Sequence, residues 1–225
     1  MMDGNIPLVI DRQKTAHGEI QLQRRDHGVY EIIYNGVFLM ASYNDHSERI
    51  LARAVIENLP PTGVGYQILV GGLGMGFTLQ EIVLCPRVSH VAVVEIEQAV
   101  INWNRCYFAE FNGGVLEDPR IALIHADLFD FIFETDGIFD AVLLDVDNGP
   151  NWLAIGKNRR LYSEKTTRRI ERMLSDQGIL ATWSSQEDSG YRKRLDRIFS
   201  RSEEIRVQTT VPKPLENLIY MGMVG

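Results

Sequence analysis

Acidic residues follow three apolar stretches of the chain, each at a point where a buried strand would end. In chain order these residues are Glu95, Asp127, Asp145 and Asp147. The carboxyl ends of parallel strands lie at one edge of a sheet, and ligands bind there. Carboxylates accept hydrogen bonds from hydroxyl and amino groups, and they attract cations while repelling phosphate. The four residues therefore favour a nucleoside that carries a positive charge, such as a sulfonium compound, over a phosphate-rich ligand.

A fourth apolar stretch, 68–70, runs into a glycine-rich turn that precedes a predicted helix over 77–85. Glycine permits positive φ angles and lets the backbone approach a ligand closely. The first turn of the helix then presents free N–H groups to that ligand. The glycines that we expect to line the ligand site are Gly71, Gly72 and Gly74.

Each acidic residue receives a predicted role from its place among the strand ends. Glu95 follows the glycine turn at a distance along the chain that suits a residue binding ribose hydroxyls. Asp127 is expected to accept a hydrogen bond from the adenine amino group, and Asp145 lies where the reacting atoms would be. Acidic residues at strand ends also act simply as turn formers, so the interpretation depends on several strand ends converging on one cleft.

The first part of the chain is predicted to form a small antiparallel sheet. Polar and apolar residues alternate over 19–23, which is typical of a half-buried strand, and Asn35-Gly36 between two apolar stretches is a strong hairpin signal. A helix over 47–58 follows and ends at Pro60. We expect an N-terminal sheet over 1–46, a helix and linker over 47–66, and the main domain over 67–225.

Strands and helices alternate from residue 67 onward. The predicted strands are 68–70, 91–94, 121–124, 141–144 and 179–183, and the predicted helices are 77–85, 98–111, 128–133, 164–174 and 191–199. Such alternation indicates a parallel sheet covered on both faces. The stretches 204–211 and 218–223 add an antiparallel pair at its edge. The predicted fold is α/β: a Rossmann-like, doubly wound, mostly parallel seven-stranded sheet with a small N-terminal antiparallel sheet.

The composition sets limits on partners and compartment. The net charge of −7 and the pI of about 5.3 disfavour non-specific attachment to nucleic acid or to an anionic membrane. No apolar stretch is long enough to span a bilayer. Cys85 and Cys106 are too few for a disulfide framework and have no metal-ligand neighbours, so we expect no metal site. These features predict a cytoplasmic protein that acts on a small molecule.

Several segments between residues 67 and 187 resemble the spermidine synthase family, the polyamine aminopropyltransferases. The matching segments are Gly74-Met-Gly-Phe-Thr-Leu-Gln-Glu81, Val93-Val-Glu-Ile-Glu97, Asp118-Pro-Arg-Ile121, His125-Ala-Asp-Leu128, Asp140-Ala-Val-Leu-Leu-Asp145, Leu161-Tyr-Ser-Glu164 and Gln177-Gly-Ile-Leu180. The resemblance implies a sulfonium nucleoside as cofactor, S-adenosylmethionine or its decarboxylated form. It also implies that Glu95 binds ribose, that Asp127 and Leu128 contact adenine, and that Asp145 is catalytic.

The chain departs from the family pattern where the amine groups would bind. Met75 stands where the family's glycine loop has an aspartate that holds the amine of the decarboxylated donor. Asn148 stands where the family has an aspartate for the acceptor amine, although Asp147 is adjacent. Trp183 stands where the family has a glutamine, and His46 is the nearest counterpart of an acceptor-positioning tyrosine. The nucleoside half is therefore kept and the amine half is altered.

These departures favour intact S-adenosylmethionine, because loss of the loop carboxylate removes repulsion of the methionine carboxylate. The preferred interpretation is an S-adenosylmethionine-dependent transferase that acts on an amine or similar nucleophile of a small molecule. Methyl and amino-carboxypropyl transfer both fit Met75, and methyl transfer is preferred only by analogy, because it is commoner on this fold. Asp145 would be the catalytic residue, with Asp147 the next candidate. One alternative is a true aminopropyltransferase that supplies the missing charge from elsewhere. A second is a catalytically inactive homologue that binds a nucleoside.

Charge is unevenly distributed along the chain. Residues 1–156 carry nine basic and 21 acidic side chains, whereas residues 157–206 carry 13 basic and eight acidic ones. The basic stretch is typical of a solvated helical face, but it also complements the acidic part of a second copy. Because the resembled family is typically oligomeric, we expect a homodimer.

Overall fold

The computed structural model describes residues 6–146, 148–209 and 215–225. A four-stranded antiparallel sheet comes first, with its strands adjacent in sequence order. The strands are β1 (Leu8–Thr15), β2 (Gly18–Arg24), β3 (Tyr30–Tyr34) and β4 (Val37–Ala41). Asn35 and Gly36 have φ angles of 49° and 77°. Positive φ at both central residues is the geometry of a tight hairpin turn, and the predicted hairpin is confirmed.

A seven-stranded sheet forms the main body of the molecule. Its strands are β5 (Tyr66–Gly71), β6 (Val88–Glu95), β7 (Ile121–His125), β8 (Phe139–Leu144), β9 (Leu174–Ser184), β10 (Arg201–Thr209) and β11 (Leu215–Met223). Their spatial order is β10-β11-β9-β8-β5-β6-β7. Neighbouring strands from β9 to β7 are parallel, and β11 is antiparallel to both β9 and β10. The predicted sheet is therefore confirmed.

Helices cover both faces of this sheet. They are α1 (His46–Asn58), α2 (Phe77–Val83), α3 (Gln98–Trp103), α4 (Ala109–Asn112), α5 (Leu128–Glu134), α6 (Glu164–Met173) and α7 (Ser189–Ile198), with short 3-10 segments at Asp26–Gly28, Val115–Glu117 and Gly156–Tyr162. Val70 and Leu143 share a core with α1, α2 and α3, whereas Leu69 and Leu144 share the opposite core with α5, α6 and α7. Burial on both faces explains why these strands are apolar without alternation.

Some boundaries differ from the sequence predictions. The helix predicted over 98–111 is interrupted by a π-helical segment, Asn104–Phe108, where the Asn104 side chain donates to the Val100 carbonyl at 2.9 Å. Strand β9 begins before the predicted residue 179, with Gln177 at a positive φ of 63° inside it. The predicted strand 204–211 corresponds to β10, and residues 210–214 lie outside the described ranges.

Side-chain hydrogen bonds join the N-terminal sheet to the main body next to the carboxyl end of β6. The Trp103 indole N–H donates to Asp11 at 2.8 Å. The hydroxyls of Tyr34 and Thr15 both donate to Glu97 Oε1, at 2.7 and 3.0 Å. Helix α1 shares its buried face with the core of the main sheet, and the division of the chain at residues 46 and 66 stays a prediction. Within the described ranges, no helix combines the length and apolarity needed to cross a membrane.

Candidate active site

A cleft lies at the carboxyl ends of β8, β5, β6 and β7, between the main sheet and the N-terminal sheet. Its lining combines the glycine turn after β5 with apolar side chains of the N-terminal sheet, including Ile20, Ile32 and Leu39. Five acidic residues also line it: Glu48, Glu95, Glu97, Asp127 and Asp145. No lysine, arginine or histidine is among the described residues that line the cleft. The cleft is therefore strongly acidic.

The glycine turn has the geometry that its sequence predicts. Gly72, Gly74 and Gly76 have φ angles of 90°, 51° and 85°, which other residues adopt only with strain. A Cβ on Gly72 would also lie 2.1 Å from the Asp145 carbonyl oxygen. Gly71 does not line the cleft: a Cβ there would meet the side chain of Leu128 at 2.2 Å. The first glycine thus serves packing, and the others shape the floor of the cleft.

Glu95 holds two backbone segments together. It is 8% exposed. Its Oε2 accepts from the Leu73 N–H at 2.9 Å, and its Oε1 accepts from the Glu97 N–H at 2.8 Å. Burial raises the pKa of Glu95, while the two N–H groups act in the opposite direction. Each carboxylate oxygen keeps a second lone pair that a ribose hydroxyl can use, so the position fits the predicted role.

Asp127 caps helix α5 and forms an ion pair that the sequence did not predict. Its Oδ1 accepts from the Phe129 N–H at 2.9 Å, and its Oδ2 accepts from Arg160 at 2.5 Å. The Arg160 guanidinium also lies 4.1 Å from the centre of the Phe129 ring. Leu128 lines the cleft beside Asp127. The only sequence signal for Arg160 was its membership of the basic stretch 157–206.

Asp145 lies at the end of β8 and faces the start of α2. Its Oδ2 accepts from the Thr78 hydroxyl at 2.6 Å, and its backbone N–H donates to the Gly71 carbonyl at 2.9 Å. Burial raises the pKa of Asp145 to about 6, and the Thr78 hydroxyl opposes that rise. The neighbouring Asp147, the second predicted catalytic residue, lies outside the described residues.

Glu48 is the site residue that the sequence analysis missed. It lies in the first turn of α1, is 8% exposed, and lines the cleft together with Asp145. Its position three residues before Leu51 and seven before Val55 places it on the buried face of the helix, which is a signal that the sequence contained. Ser47 Oγ donates to Glu48 Oε2 at 2.8 Å.

Glu48 and Asp145 influence each other's protonation. Burial and the negative charge of Asp145 raise the pKa of Glu48 to about 8, against the effect of the Ser47 hydroxyl. Asp145 ionises first because the Thr78 hydroxyl stabilises its carboxylate. At neutral pH the Glu48 carboxyl is therefore mostly protonated. A buried carboxyl whose pKa is raised by a second carboxyl is well suited to meet an incoming cation.

The remaining sequence-predicted positions are divided between the cleft and its surroundings. Met75 is fully buried and lines the cleft, and Trp183 lines it at the carboxyl end of β9. Asn148 is buried, and its carbonyl accepts from the N–H and hydroxyl of Ser185 at 3.0 and 2.7 Å. The structure thus brings together every predicted cofactor residue except Gly71, which packs against Leu128 and does not line the cleft.

The fold and the strand-end cleft define a Rossmann-like α/β protein with a cleft at the carboxyl ends of its parallel strands. A family model described as the spermine/spermidine synthase domain matches residues 52–201. The chain therefore belongs to the spermine/spermidine synthase family, as the sequence resemblance predicted.

Curated relatives agree with this membership. A polyamine aminopropyltransferase of Synechococcus sp. (strain JA-2-3B'a(2-13)) is 29% identical over 59% of this chain and 42% of the relative. One from Saccharolobus solfataricus is 26% identical over 79% of this chain and 58% of the relative. The chain thus spans about half the length of the curated relatives that it matches.

Two solved structures share the fold. A spermidine synthase in complex with the transition state analogue AdoDATO superposes with a TM-score of 0.82 at 18% identity, covering 97% of this chain and 74% of that one. The spermidine synthase from Thermotoga maritima superposes with a TM-score of 0.78 at 18% identity, covering 97% and 73%. The N-terminal sheet is included in this similarity, since nearly the whole chain is covered.

Proposed function

We propose that this protein transfers an aminopropyl group from decarboxylated S-adenosylmethionine to a small-molecule amine. The observation that carries the proposal is the acidic cleft, which has five carboxyl side chains and no basic side chain among its described lining residues. Family membership and the relatives named as polyamine aminopropyltransferases support the same activity. They support it better than the methyl transfer that the sequence analysis preferred.

The charge of the donor explains the preference. Intact S-adenosylmethionine carries a carboxylate, which would enter a cleft that already contains several carboxyl groups and, among its described lining residues, no side-chain cation. Two like charges a few ångströms apart repel strongly in a partly buried site. The decarboxylated donor carries only positive charges, on sulfur and on its amine. Burying such a donor against carboxylates offsets the cost of removing both from water.

The described residues fit such a donor along the whole cleft. Glu95 is placed to accept from ribose hydroxyls, and Asp127 with Leu128 forms the side where adenine would lie. The positive φ of Gly72 and Gly74 keeps the floor free of side chains between these residues and Asp145. These assignments follow from position and hydrogen-bonding capacity.

The donor would supply an activated carbon: the acceptor nitrogen bonds to it, the carbon–sulfur bond breaks with its electron pair on sulfur, and a thioether nucleoside leaves. Asp145 would accept the proton that the acceptor nitrogen loses, or orient that nitrogen for in-line attack. Thr78 would hold the Asp145 carboxylate through its 2.6 Å hydrogen bond. The apolar residues of the N-terminal sheet would exclude water from this end of the cleft.

The proposal can be tested with purified protein and two donors. Decarboxylated S-adenosylmethionine and intact S-adenosylmethionine are each incubated with a panel of diamines and amino acids. Mass spectrometry then detects methylthioadenosine and an acceptor enlarged by an aminopropyl group. Both products from the decarboxylated donor support the proposal. A methylated acceptor formed from the intact donor would overturn it, and binding of either donor without turnover would favour an inactive homologue.

A further inference from the structure

We infer that Glu48 binds the ammonium group at the end of the donor's aminopropyl chain, in place of a carboxylate on the glycine turn. The inference rests on the proposed function, because it assumes a donor with a free amine and no carboxylate. It assigns to helix α1 a part in ligand binding that the predicted division of the chain had given only to the main domain.

Glu48 is close to the glycine turn because α1 packs against α2. The Thr78 hydroxyl lies 3.5 Å from the Glu48 carbonyl oxygen and 2.6 Å from Asp145 Oδ2. The Arg49 guanidinium lies 5.4 Å from the centre of the Phe77 ring, at the start of α2. Glu48, Thr78 and Asp145 therefore surround the end of the cleft that adjoins Met75.

Apart from Asp145, which is assigned to the reacting nitrogen, the other three acidic residues of the cleft already have their carboxylate groups engaged. Both oxygens of Glu95 accept from backbone N–H groups. Glu97 accepts from two hydroxyls, and Asp127 accepts from an N–H group and from Arg160. These contacts fix the side chains in place and leave them less free to follow a mobile ammonium group.

Glu48 differs from these three because the hydrogen-bond partners of its carboxyl are local, the hydroxyl of the adjacent Ser47 and its own backbone N–H. The adjacent Arg49 is directed elsewhere, to Asp45 at 2.7 Å, Gln80 at 2.6 Å and Glu81 at 3.4 Å. The charged groups that act on Glu48 are Asp145 and Asp45, and both are acidic. A buried carboxyl among like charges favours a cation as its partner. A ligand ammonium would provide that cation.

Binding calorimetry on Glu48→Gln tests the inference without requiring turnover. The variant keeps the size of the side chain and its capacity to accept from Ser47, but it cannot ionise. We expect its affinity for decarboxylated S-adenosylmethionine to fall by roughly 10- to 100-fold, the range for a hydrogen bond to a charged group. Its affinity for methylthioadenosine, which lacks the amine-bearing chain, should stay within about twofold of wild type.

Glu57→Gln is the matched control, because Glu57 is exposed on the same helix. It should bind both ligands as the wild type does. Wild-type affinity of Glu48→Gln for the decarboxylated donor would overturn the inference, and so would an equal loss for both ligands, which indicates a structural role. If the wild-type protein itself binds only intact S-adenosylmethionine, the proposed function fails together with the inference. A selective loss in Glu48→Gln alone supports both.

Discussion

The two ends of the cleft use their carboxyl groups differently. At the end formed by β6 and β7, Glu95, Glu97 and Asp127 accept hydrogen bonds from backbone N–H groups, hydroxyls and a guanidinium. At the end formed by α1 and β8, Glu48 and Asp145 each accept from one hydroxyl. The first end is held in shape by the protein itself, whereas the second holds two buried carboxyl groups whose described hydrogen-bond partners include no cation.

The end formed by β6 and β7 is therefore suited to recognise the shape of a ligand, and the end formed by α1 and β8 is suited to recognise its charge. A pre-formed set of acceptors selects a nucleoside by the positions of its hydroxyl and amino groups. A pair of partly protonated carboxyls selects a cation, because only a cation recovers the free energy that burial costs them. Substitutions at the first end should therefore affect every nucleoside ligand. Substitutions at the second end should affect only ligands with an amine, or the reaction itself.

The largest effect should come from Asp145→Asn. The amide keeps the size of the side chain but cannot accept a proton, so turnover should fall on the order of 100-fold or more, the scale of base catalysis. Methylthioadenosine affinity should be unchanged, because Asp145 lies at the charge-recognising end. Steady-state rates and calorimetry check the two halves of this prediction, with Asp136→Asn as the exposed control. Wild-type turnover in Asp145→Asn would transfer the catalytic role to another group.

The next largest effect should come from a substitution at the end of the cleft formed by β6 and β7. Glu95→Ala should weaken methylthioadenosine and the donor alike by roughly 10- to 100-fold, since a hydrogen bond to a charged group contributes about 1.5–3 kcal/mol. The variant should also unfold at a lower temperature, because Glu95 joins the N–H groups of Leu73 and Glu97. Calorimetry and thermal unfolding measure both quantities. A loss confined to the decarboxylated donor would contradict the division of the cleft.

The number of protons released when a ligand binds should also distinguish the two ends of the cleft. The pKa of Glu48 is raised to about 8 by burial and by the charge of Asp145, so this carboxyl is mostly protonated at pH 7. A bound ammonium stabilises its ionised form and should release up to about one proton. Calorimetry of donor binding in buffers of different ionisation enthalpy gives that number. The release should be absent for methylthioadenosine and for Glu48→Gln, and its persistence in that variant would assign the proton to another group.

The sequence predicted most of the sheet but only part of the site. The strands β5, β6 and β8 are buried on both faces and the edge strand β7 is partly buried, so their apolar stretches and terminal residues were visible in the sequence. The glycine turn and Asp145 were found because chain position alone places them at strand ends.

Glu48 and Arg160 were not found, because their roles depend on packing between elements distant in sequence. Glu48 reaches the cleft only when α1 packs on α2, and Arg160 reaches Asp127 across a separation of 33 residues. The preference for intact S-adenosylmethionine depended on Met75, and it weakened once a carboxyl on another element, Glu48, was found in the same cleft. The homodimer, predicted from charge, stays a prediction that sedimentation at micromolar concentration would test.

The smallest effect should be on the pH dependence of stability without ligand. Because burial raises the pKa of Glu48 above its ordinary value of 4.5, the neutral form is favoured by folding. The resulting stability is complete below pH 4.5 and is lost as the pH rises towards 8. Glu48→Gln cannot ionise and should escape that loss. Urea unfolding at about pH 5 and pH 9 should show that the free energy of unfolding of the variant rises relative to that of the wild type, by roughly 1 kcal/mol or more.

Subtracting the free energy of unfolding of the wild type from that of the variant cancels the contributions of carboxylates that lie elsewhere. Asp118 is one of them, and Arg120 lowers its pKa to about 2. If the free energy of unfolding changes with pH equally in both proteins, Glu48 is not held neutral by burial. The charge-recognising end would then consist of Asp145 alone, and the ammonium of the donor would need another partner. If the variant becomes more stable than the wild type as the pH rises, and also binds the donor more weakly, the two results have one cause. The buried Glu48 carboxyl then lowers the stability of the free protein and increases its affinity for the donor.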